Sequence, residues 1–337
     1  MDLSRAVAAI ARVKSALDKE DGGAFSWLSI SGGTIAATSR FASAAAPFPW
    51  GGDVVVAGAE FEAVLGRMPS DPEMRIERGV LRIVAGSFEA KVRLATESPP
   101  VLPAAPDDED AHTLDSATLA RFAVLSNFIS DDPVPAWMNS LIIQRGRASA
   151  VGPSAVVYAY AAIPDFGTDA LIPKRALAAV LAAKEPPDRI ALSANRAAFF
   201  WPDGSWLASQ LVDGKVPGTI DRLAEKAATS ANPPEISPEW REAFVRVAGF
   251  AEDEVAFYTD RIVGARGKII GNGGEERIAI VEELVESVVP EGREYSKWHK
   301  AIADLVVANA EGWDLSAYPA PAAFVGPVVR GLVTGRN

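Results

Sequence analysis

The sequence predicts an α+β protein of three tandem domains, each with two helices laid against antiparallel sheets. Three observations lead there. Two stretches read as one unit written twice, three amphipathic helices open at similar intervals, and the remaining apolar residues fall into short runs of strand length. The first copy runs VVVAGAEFEAVLGRMPSDPEMRIERGVLRIVAG…VRLATESPP, from Val54 to Pro100, and the second ALIPKRALAAVLAAKEPPDRIALSANRAAFFWP…SQLVDGKVP, from Ala170 to Pro217. Val64-Leu65 and Val180-Leu181 hold the same place 116 residues apart, and Pro100 and Pro217 hold the same place 117 apart. Each copy orders strand, short helix, hairpin, strand and proline. A period near one third of 337 residues is too long for a solenoid repeat and fits serial copies of a small domain.

Taken in order, the first helix is LSRAVAAIARVKSAL, with Leu3, Val7, Ile10, Val13 and Leu17 at helical spacing. SATLARFAVLSNFI follows at Ser116–Ile129, with Asp115 or Ser116 available as a cap. SPEWREAFVRVAGFA at Ser237–Ala251 begins with a cap and a proline at the first helical position. A last helix is expected over Tyr295–Ala308, with AAFVGPVVRGLV as the closing strand. WLSIS, TIAATS, SLIIQ, VVYAYAA, RIALS, AAFFW, VAFYT and RIAIV read as strands, about six to eight in each third. Ser98–Asp110, rich in proline and acid, and Ala224–Pro234 read as linkers. These breaks set the expected domains at 1–105, 112–226 and 235–337.

Composition narrows the function. With 49% apolar residues the chain can bury real cores, and no apolar run approaches the roughly 18–20 residues that span a bilayer. The N-terminal stretch is amphipathic and lacks a signal-peptide h-region, so a cytoplasmic protein with no membrane partner is expected. The absence of cysteine removes disulfides, thiolate metal sites and thiol nucleophiles. A formal charge of −11 argues against gripping nucleic acid over the whole surface, but not against positive charge gathered on one face.

Catalytic and cofactor signatures are missing. His112, in a linker, and His299, on a predicted helix, are the only histidines, and there is no nucleophile elbow or Walker loop. Gly271-Asn272-Gly273-Gly274 is a turn between strands, Asp131-Asp132 belongs to an Asp-Asp-Pro turn, and Trp27, Trp206, Trp240 and Trp298 read as packing aromatics. The expectation is a non-enzymatic protein without metal or cofactor.

The first helix carries Arg5, Arg12 and Lys19 seven residues apart, a line well away from its apolar stripe. Lys14 lies nearer that stripe. Such a line is either a solvated face or a surface that meets phosphates. Arg67 ends the first domain's second helix. Arg121, Lys174, Arg175 and Lys184 lie on or beside the second domain's helices, and Arg241, Arg246, Lys297 and Lys300 are their third-domain counterparts. Singly these are ordinary surface charges; together they put base on helices while acid collects in linkers such as Asp107-Asp108-Glu109-Asp110.

The central stretch resembles a known family, the bacterial DNA polymerase III beta subunit, or replication sliding clamp. LIPKRALAAVLAAKEPPDRIALSANRAAFFWPDGSWLASQLVDGKVP is similar to the core of that family's second domain, including its Leu-(Ile/Val)-(Glu/Asp)-Gly-x-(Phe/Val)-Pro ending at Leu211–Pro217. FAVLSNFISDDPVPAWMNSLIIQRGRASAVG resembles the helix, aspartate-proline loop and hairpin before it, and FVGPVVRGL is a looser match to the final strand. The chain departs where the family has Ala-Thr-Asp-x-His-Arg-Leu-Ala. Here Ala150-Val151-Gly152-Pro153-Ser154-Ala155-Val156-Val157 stands instead. The chain also enters its first helix within a few residues, and it runs on past Arg330 to Asn337.

The resemblance implies a head-to-tail homodimer closing into a ring around double-stranded DNA, with sequence-independent contacts to backbone phosphate. It also implies a replisome location and an ATP-driven clamp loader. By resemblance, a groove for short peptides of DNA polymerase and the loader involves Val156, Val157, Pro217, Ile220, Leu223, Phe324, Val325, Pro327 and Val328; otherwise these residues are plain core and closing strand. The alternative for the whole chain is an interaction scaffold that keeps the fold without encircling DNA.

Overall fold

The computed structural model describes residues 1–17, 26–95, 104–132, 135–153, 157–229, 233, 235–258, 261–272, 275–286, 296–314 and 321–334. The first third contains α1 (Leu3–Val13), β1 (Trp27–Ser31), β2 (Thr34–Thr38), β3 (Ala42–Pro47), β4 (Val54–Ala57), α2 (Gly58–Leu65), β5 (Glu73–Glu77), β6 (Val80–Ala85) and β7 (Phe88–Arg93). The middle third contains β8 (His112–Thr113), α3 (Ser116–Ser126), β9 (Ser140–Gln144), β10 (Arg147–Val151), β11 (Val157–Ala162), β12 (Ala170–Pro173), α4 (Lys174–Leu181), β13 (Arg189–Leu192), β14 (Arg196–Phe200) and β15 (Trp206–Gln210). Then come α5 (Thr219–Thr229), α6 (Pro238–Phe250), β16 (Glu254–Phe257), β17 (Ile262–Asn272), β18 (Glu275–Glu286), β19 (Ser296–His299), α7 (Lys300–Asn309), β20 (Gly312–Asp314), β21 (Ala322–Val325) and β22 (Arg330–Val333). This is the expected α+β class, with helices on antiparallel sheets.

Contacts gather the chain into two compact units, Met1–Leu119 with Asp165–Asp213, and Ala120–Pro164 with Gly214–Asn337. The first unit is built on a sheet of order β4-β1-β2-β3-β15-β14-β13-β8 and a smaller one, β5-β6-β7. β3, from the first third, pairs antiparallel with β15, from the second, in the register Ala42↔Ser209 to Ala45↔Trp206. In α1 the Asp2 carboxylate caps the helix by accepting from the Arg5 backbone N–H at 3.0 Å. Its buried face of Ala6, Ala9, Ile10 and Val13 lies on β2 and β3. The expected helix over Leu3–Leu17 is therefore α1 followed by a 3₁₀ turn at Lys14–Ala16.

The second unit repeats the device. β11 pairs antiparallel with β22 in the register Val157↔Val333 to Tyr160↔Arg330, within the order β9-β10-β11-β22-β21-β20. A separate sheet runs β18-β17-β16-β19. The Ser237 hydroxyl caps α6 by accepting from the Trp240 N–H at 3.2 Å, and Pro238 opens the helix as expected. Behind it Trp240, Phe257, Trp298 and Trp313 form an aromatic core, with ring centroids 5.3 Å apart for Trp240–Trp313, 5.2 Å for Phe257–Trp313 and 4.4 Å for Trp298–Trp313. Ser237→Ala should lower stability by about 1 kcal/mol, read as a shift in urea midpoint; an unchanged midpoint would show that the cap contributes nothing.

Four local expectations are corrected. The linker placed at Ala224–Pro234 is helical as far as Thr229, because Ile220, Ala224 and Ala227 form a buried stripe that α5 lays on β22. Residues 230–232 and 234 lie outside the described set. The helix expected over Tyr295–Ala308 starts only at Lys300. Ser296–His299 is instead strand β19, paired with β16 from Phe257↔Ser296 to Glu254↔His299. His299 thus stands at the N-cap position of α7, without a side-chain hydrogen bond to the helix, and Tyr295 is undescribed. The single closing strand is a hairpin of β21 and β22, turning where the Gly326 N–H donates to the Val329 carbonyl at 2.8 Å. His112, expected in a linker, pairs with Ile190 in β8. Of the glycine turn, Gly271 and Asn272 end β17, while Gly273 and Gly274 are outside the described residues.

Candidate nucleic-acid interface and peptide groove

The basic residues of the first unit divide into exposed and engaged groups. Arg5 is 80% exposed in its side chain, paired loosely with Asp2 of its own helix at 3.4 Å. Seven residues on, Arg12 is only 10% exposed. Its guanidinium stacks 4.7 Å from the centroid of Trp201 and donates to the Glu185 carbonyl at 2.8 Å and the Glu185 carboxylate at 3.0 Å. The equal spacing predicted one exposed line. It did not register that the α4-to-β13 connection, which carries Glu185, crosses the end of α1 and covers one member of that line. Lys19, the third member, lies outside the described residues. Lys14 is held by Glu62 at 2.8 Å.

Arg67, Arg175 and Lys184 are exposed, and Lys174 is half-buried at the start of α4. Ends of α1 and α4 meet around a cleft of about 470 Å³, lined by Arg12, Lys14, Arg175, Trp201 and Leu207 among others.

In the second unit Arg121 is half-buried on α3. Arg241 is a helix tie: its guanidinium donates to the Val307 carbonyl at 2.7 Å and to the Ala310 carbonyl. These are carbonyls at the C-terminal end of α7, which have no intrahelical donor, and a cation there also opposes the helix dipole. Arg246 is exposed and lies 3.8 Å from Glu242 one turn back. Lys300 is the half-buried first residue of α7, and Lys297 stands in β19 opposite Ala256.

The anticipated groove residues that are described all belong to the second unit, on β11, on α5 and the turn before it, and on β21 and the turn after it. Val157, Ile220 and Phe324 are buried; Pro217, Leu223, Val325 and Val328 are half-buried; Pro327 is exposed; Val156 is outside the described residues. Phe324 stacks on Phe128 at 5.8 Å. Leu223 and Tyr160 pack against Ala227, Ala323 and Leu332, so α5 covers this part of the sheet.

Sequence reading missed the polar border of the cluster. Arg147 donates to Gln144 at 2.5 Å and to Asp221 of α5 at 2.6 Å. Beside them burial pushes the Tyr158 phenol up to about 12, so it is a neutral hydroxyl at physiological pH. The missed signal was the spacing of Ile220, Leu223, Ala224 and Ala227, which is helical but written mostly in alanine.

No protein-family model and no curated protein sequence matches the chain. Its fold does have relatives among solved structures. The DNA polymerase III subunit beta of Pseudomonas aeruginosa superposes with a TM-score of 0.76 at 14% identity, covering 100% of this chain and 99% of that one. The Helicobacter pylori beta clamp bound to a DNA ligase peptide gives 0.74 at 11% identity, with 100% and 99% covered. The Thermotoga maritima DNA polymerase III beta subunit gives 0.73 at 15% identity, with 100% and 98% covered. The chain therefore has a clamp-type fold along its whole length. More particularly, that fold is the one of the bacterial DNA polymerase III beta subunit, the replication sliding clamp.

Proposed function

We propose that this chain is a DNA sliding clamp, a processivity factor that encircles duplex DNA as a head-to-tail homodimeric ring and tethers a polymerase. The observation that carries the reading is the full-length likeness of fold to bacterial beta clamps, with nearly all of each relative's chain covered. Three tandem domains per chain, at 1–105, 112–226 and 235–337, would give two chains six similar arcs, and a heterologous interface of this kind must close to avoid open filaments. The mechanism is topological: the ring prevents escape, weak phosphate contacts permit sliding, and no bond is made or broken by this chain. An acidic exterior, in a chain of net charge −11, disfavours side-on DNA binding. Loading requires a separate ATP-driven partner, and the protein acts in the cytoplasm at the replisome.

Within this reading Arg5, Arg67, Arg175, Lys184 and Arg246 are the exposed cations best suited to phosphate. Arg121, Lys174 and Lys300 are half-buried companions, and Lys19 and Lys297 complete the set. Arg12 and Arg241 serve the fold first. The cluster under α5, to which Leu223 belongs, is the seat of the peptide groove, and the exposed Pro327 with the half-buried Pro217, Val325 and Val328 are its further candidate residues. The Helicobacter pylori clamp, solved with a DNA ligase peptide, supports a short peptide as the class of partner.

Negative-stain electron microscopy with native mass tests the reading. Closed rings with a central hole, at twice the 35.5 kDa chain mass, are expected. Retention on nicked circular DNA should fall after Arg5→Glu with Arg67→Glu, and it should fall on linearising the circle. Compact monomers that stay off circular DNA would replace the clamp with a scaffold that keeps only the fold.

A further inference from the structure

The turn between β2 and β3 displays a phenylalanine that the fold has no packing reason to expose. Phe41 is 52% exposed, although burying such a ring is worth about 1.5–3 kcal/mol. Its backbone is held from two sides. The Ser39 hydroxyl accepts from the N–H groups of Phe41 and Ala42 at 3.3 and 3.2 Å. The Phe41 carbonyl accepts from the Gln210 N–H at 3.0 Å and the Ser209 hydroxyl at 3.2 Å. The ring is thus carried outward on a fixed base.

A cation lies over it. The Arg175 guanidinium, from the first turn of α4, lies 5.6 Å from the ring centroid, with exposed Arg40 next in sequence and Lys174 beside Arg175. Arg175 has no carboxylate partner among the described residues, whereas Arg12 and Lys14 in the adjoining cleft are matched by Glu185 and Glu62. Uncompensated positive charge therefore concentrates at Arg175, between the ring and the cleft it helps to line.

We infer that Phe41, Arg40 and Arg175 form a stacking platform for unpaired DNA, with a base on the phenylalanine and the flanking phosphates on Arg175 and Arg40. A fixed aromatic face beside a cationic track is the combination that holds single strands without sequence preference. Duplex DNA offers it nothing comparable, because paired bases keep their faces inside the stack. The inference does not require a ring, since the platform lies within one unit of one chain.

The test uses the full-length protein and a fluorescein-labelled oligo-dT of about 20 nucleotides, read by anisotropy at low salt. Phe41→Ala should weaken binding by roughly tenfold, the loss typical of one stacked base. Phe41→Trp should restore it, and an abasic oligomer of equal length should bind the wild type as weakly as dT binds Phe41→Ala. Arg175→Ala should weaken both oligomers and flatten the salt dependence. An unaltered melting curve for Phe41→Ala, expected for an exposed ring, keeps folding out of the comparison. The proposal is overturned if Phe41→Ala binds oligo-dT as the wild type does, or if abasic and dT oligomers bind alike. It is equally overturned if an acidic peptide binds in a Phe41-dependent way while oligo-dT does not, which would make this a protein-docking surface. Monomers in the microscope with intact Phe41-dependent binding would sink the clamp reading and leave this one standing.

Discussion

Arg12→Ala is expected to lower the unfolding free energy by about 2 kcal/mol, seen as a lower urea midpoint. The magnitude comes from what the side chain touches. The ion pair with Glu185 contributes little, because that carboxylate is 76% exposed and solvent screens it. The larger contributions are the guanidinium stacked on buried Trp201, the bond to the Glu185 carbonyl, and the stem buried along the way. The Trp201 indole N–H also donates to that same carbonyl at 2.7 Å, so the acceptor is not orphaned in the variant, and this keeps the cost moderate. Arg12→Lys should recover little of the loss, since an ammonium cannot stack flat and bond twice. A midpoint equal to wild type would overturn the structural role and return Arg12 to the candidate DNA contacts. Any DNA-binding defect in an Arg12 variant has to be read against its stability for this reason.

Gly331→Ala is the second large effect, about 3 kcal/mol of destabilisation. Gly331 is the second residue of β22, opposite Ala159 of β11 and Phe324 of β21. An added Cβ would stand 2.2 Å from the Tyr158 carbonyl oxygen and 2.4 Å from the Phe324 ring. Neither neighbour can give way: the carbonyl belongs to the paired strand, and the ring is buried against Phe128. The strand must shift, and with it the β11–β22 pairing that carries α5. Urea unfolding together with hydrogen exchange at Tyr158 and Leu332 should show both the loss and its location. A variant within 1 kcal/mol of wild type, with those amides still protected, would mean that the strands relax far more readily than their packing implies.

Much of the architecture was legible because it rests on local pattern. The repeat of Val54–Pro100 in Ala170–Pro217 gave the element order, and short runs such as WLSIS and SLIIQ gave strands that recur almost residue for residue. The cap at Ser237 and Pro238 set the start of α6 to within a residue. Errors arose where pairing partners decide. Tyr295–Ala308 reads as one helix until β16 claims Ser296–His299. Residues 224–229 read as linker because an alanine-rich stripe carries little hydropathy until β22 supplies a surface for it.

The functional residues divide along the same line. The sequence by itself determined where basic residues fall along the chain and that no thiol chemistry is open to it, because residue type and spacing are local properties. Only the tertiary structure decided that Arg5 meets solvent while Arg12 lies under Glu185, that Arg241 ties down the end of α7, and that Phe41 faces outward beside Arg175. Whether a charge is available to a ligand depends on what a segment 173 residues away brings to it, and no local spacing encodes the position of that segment.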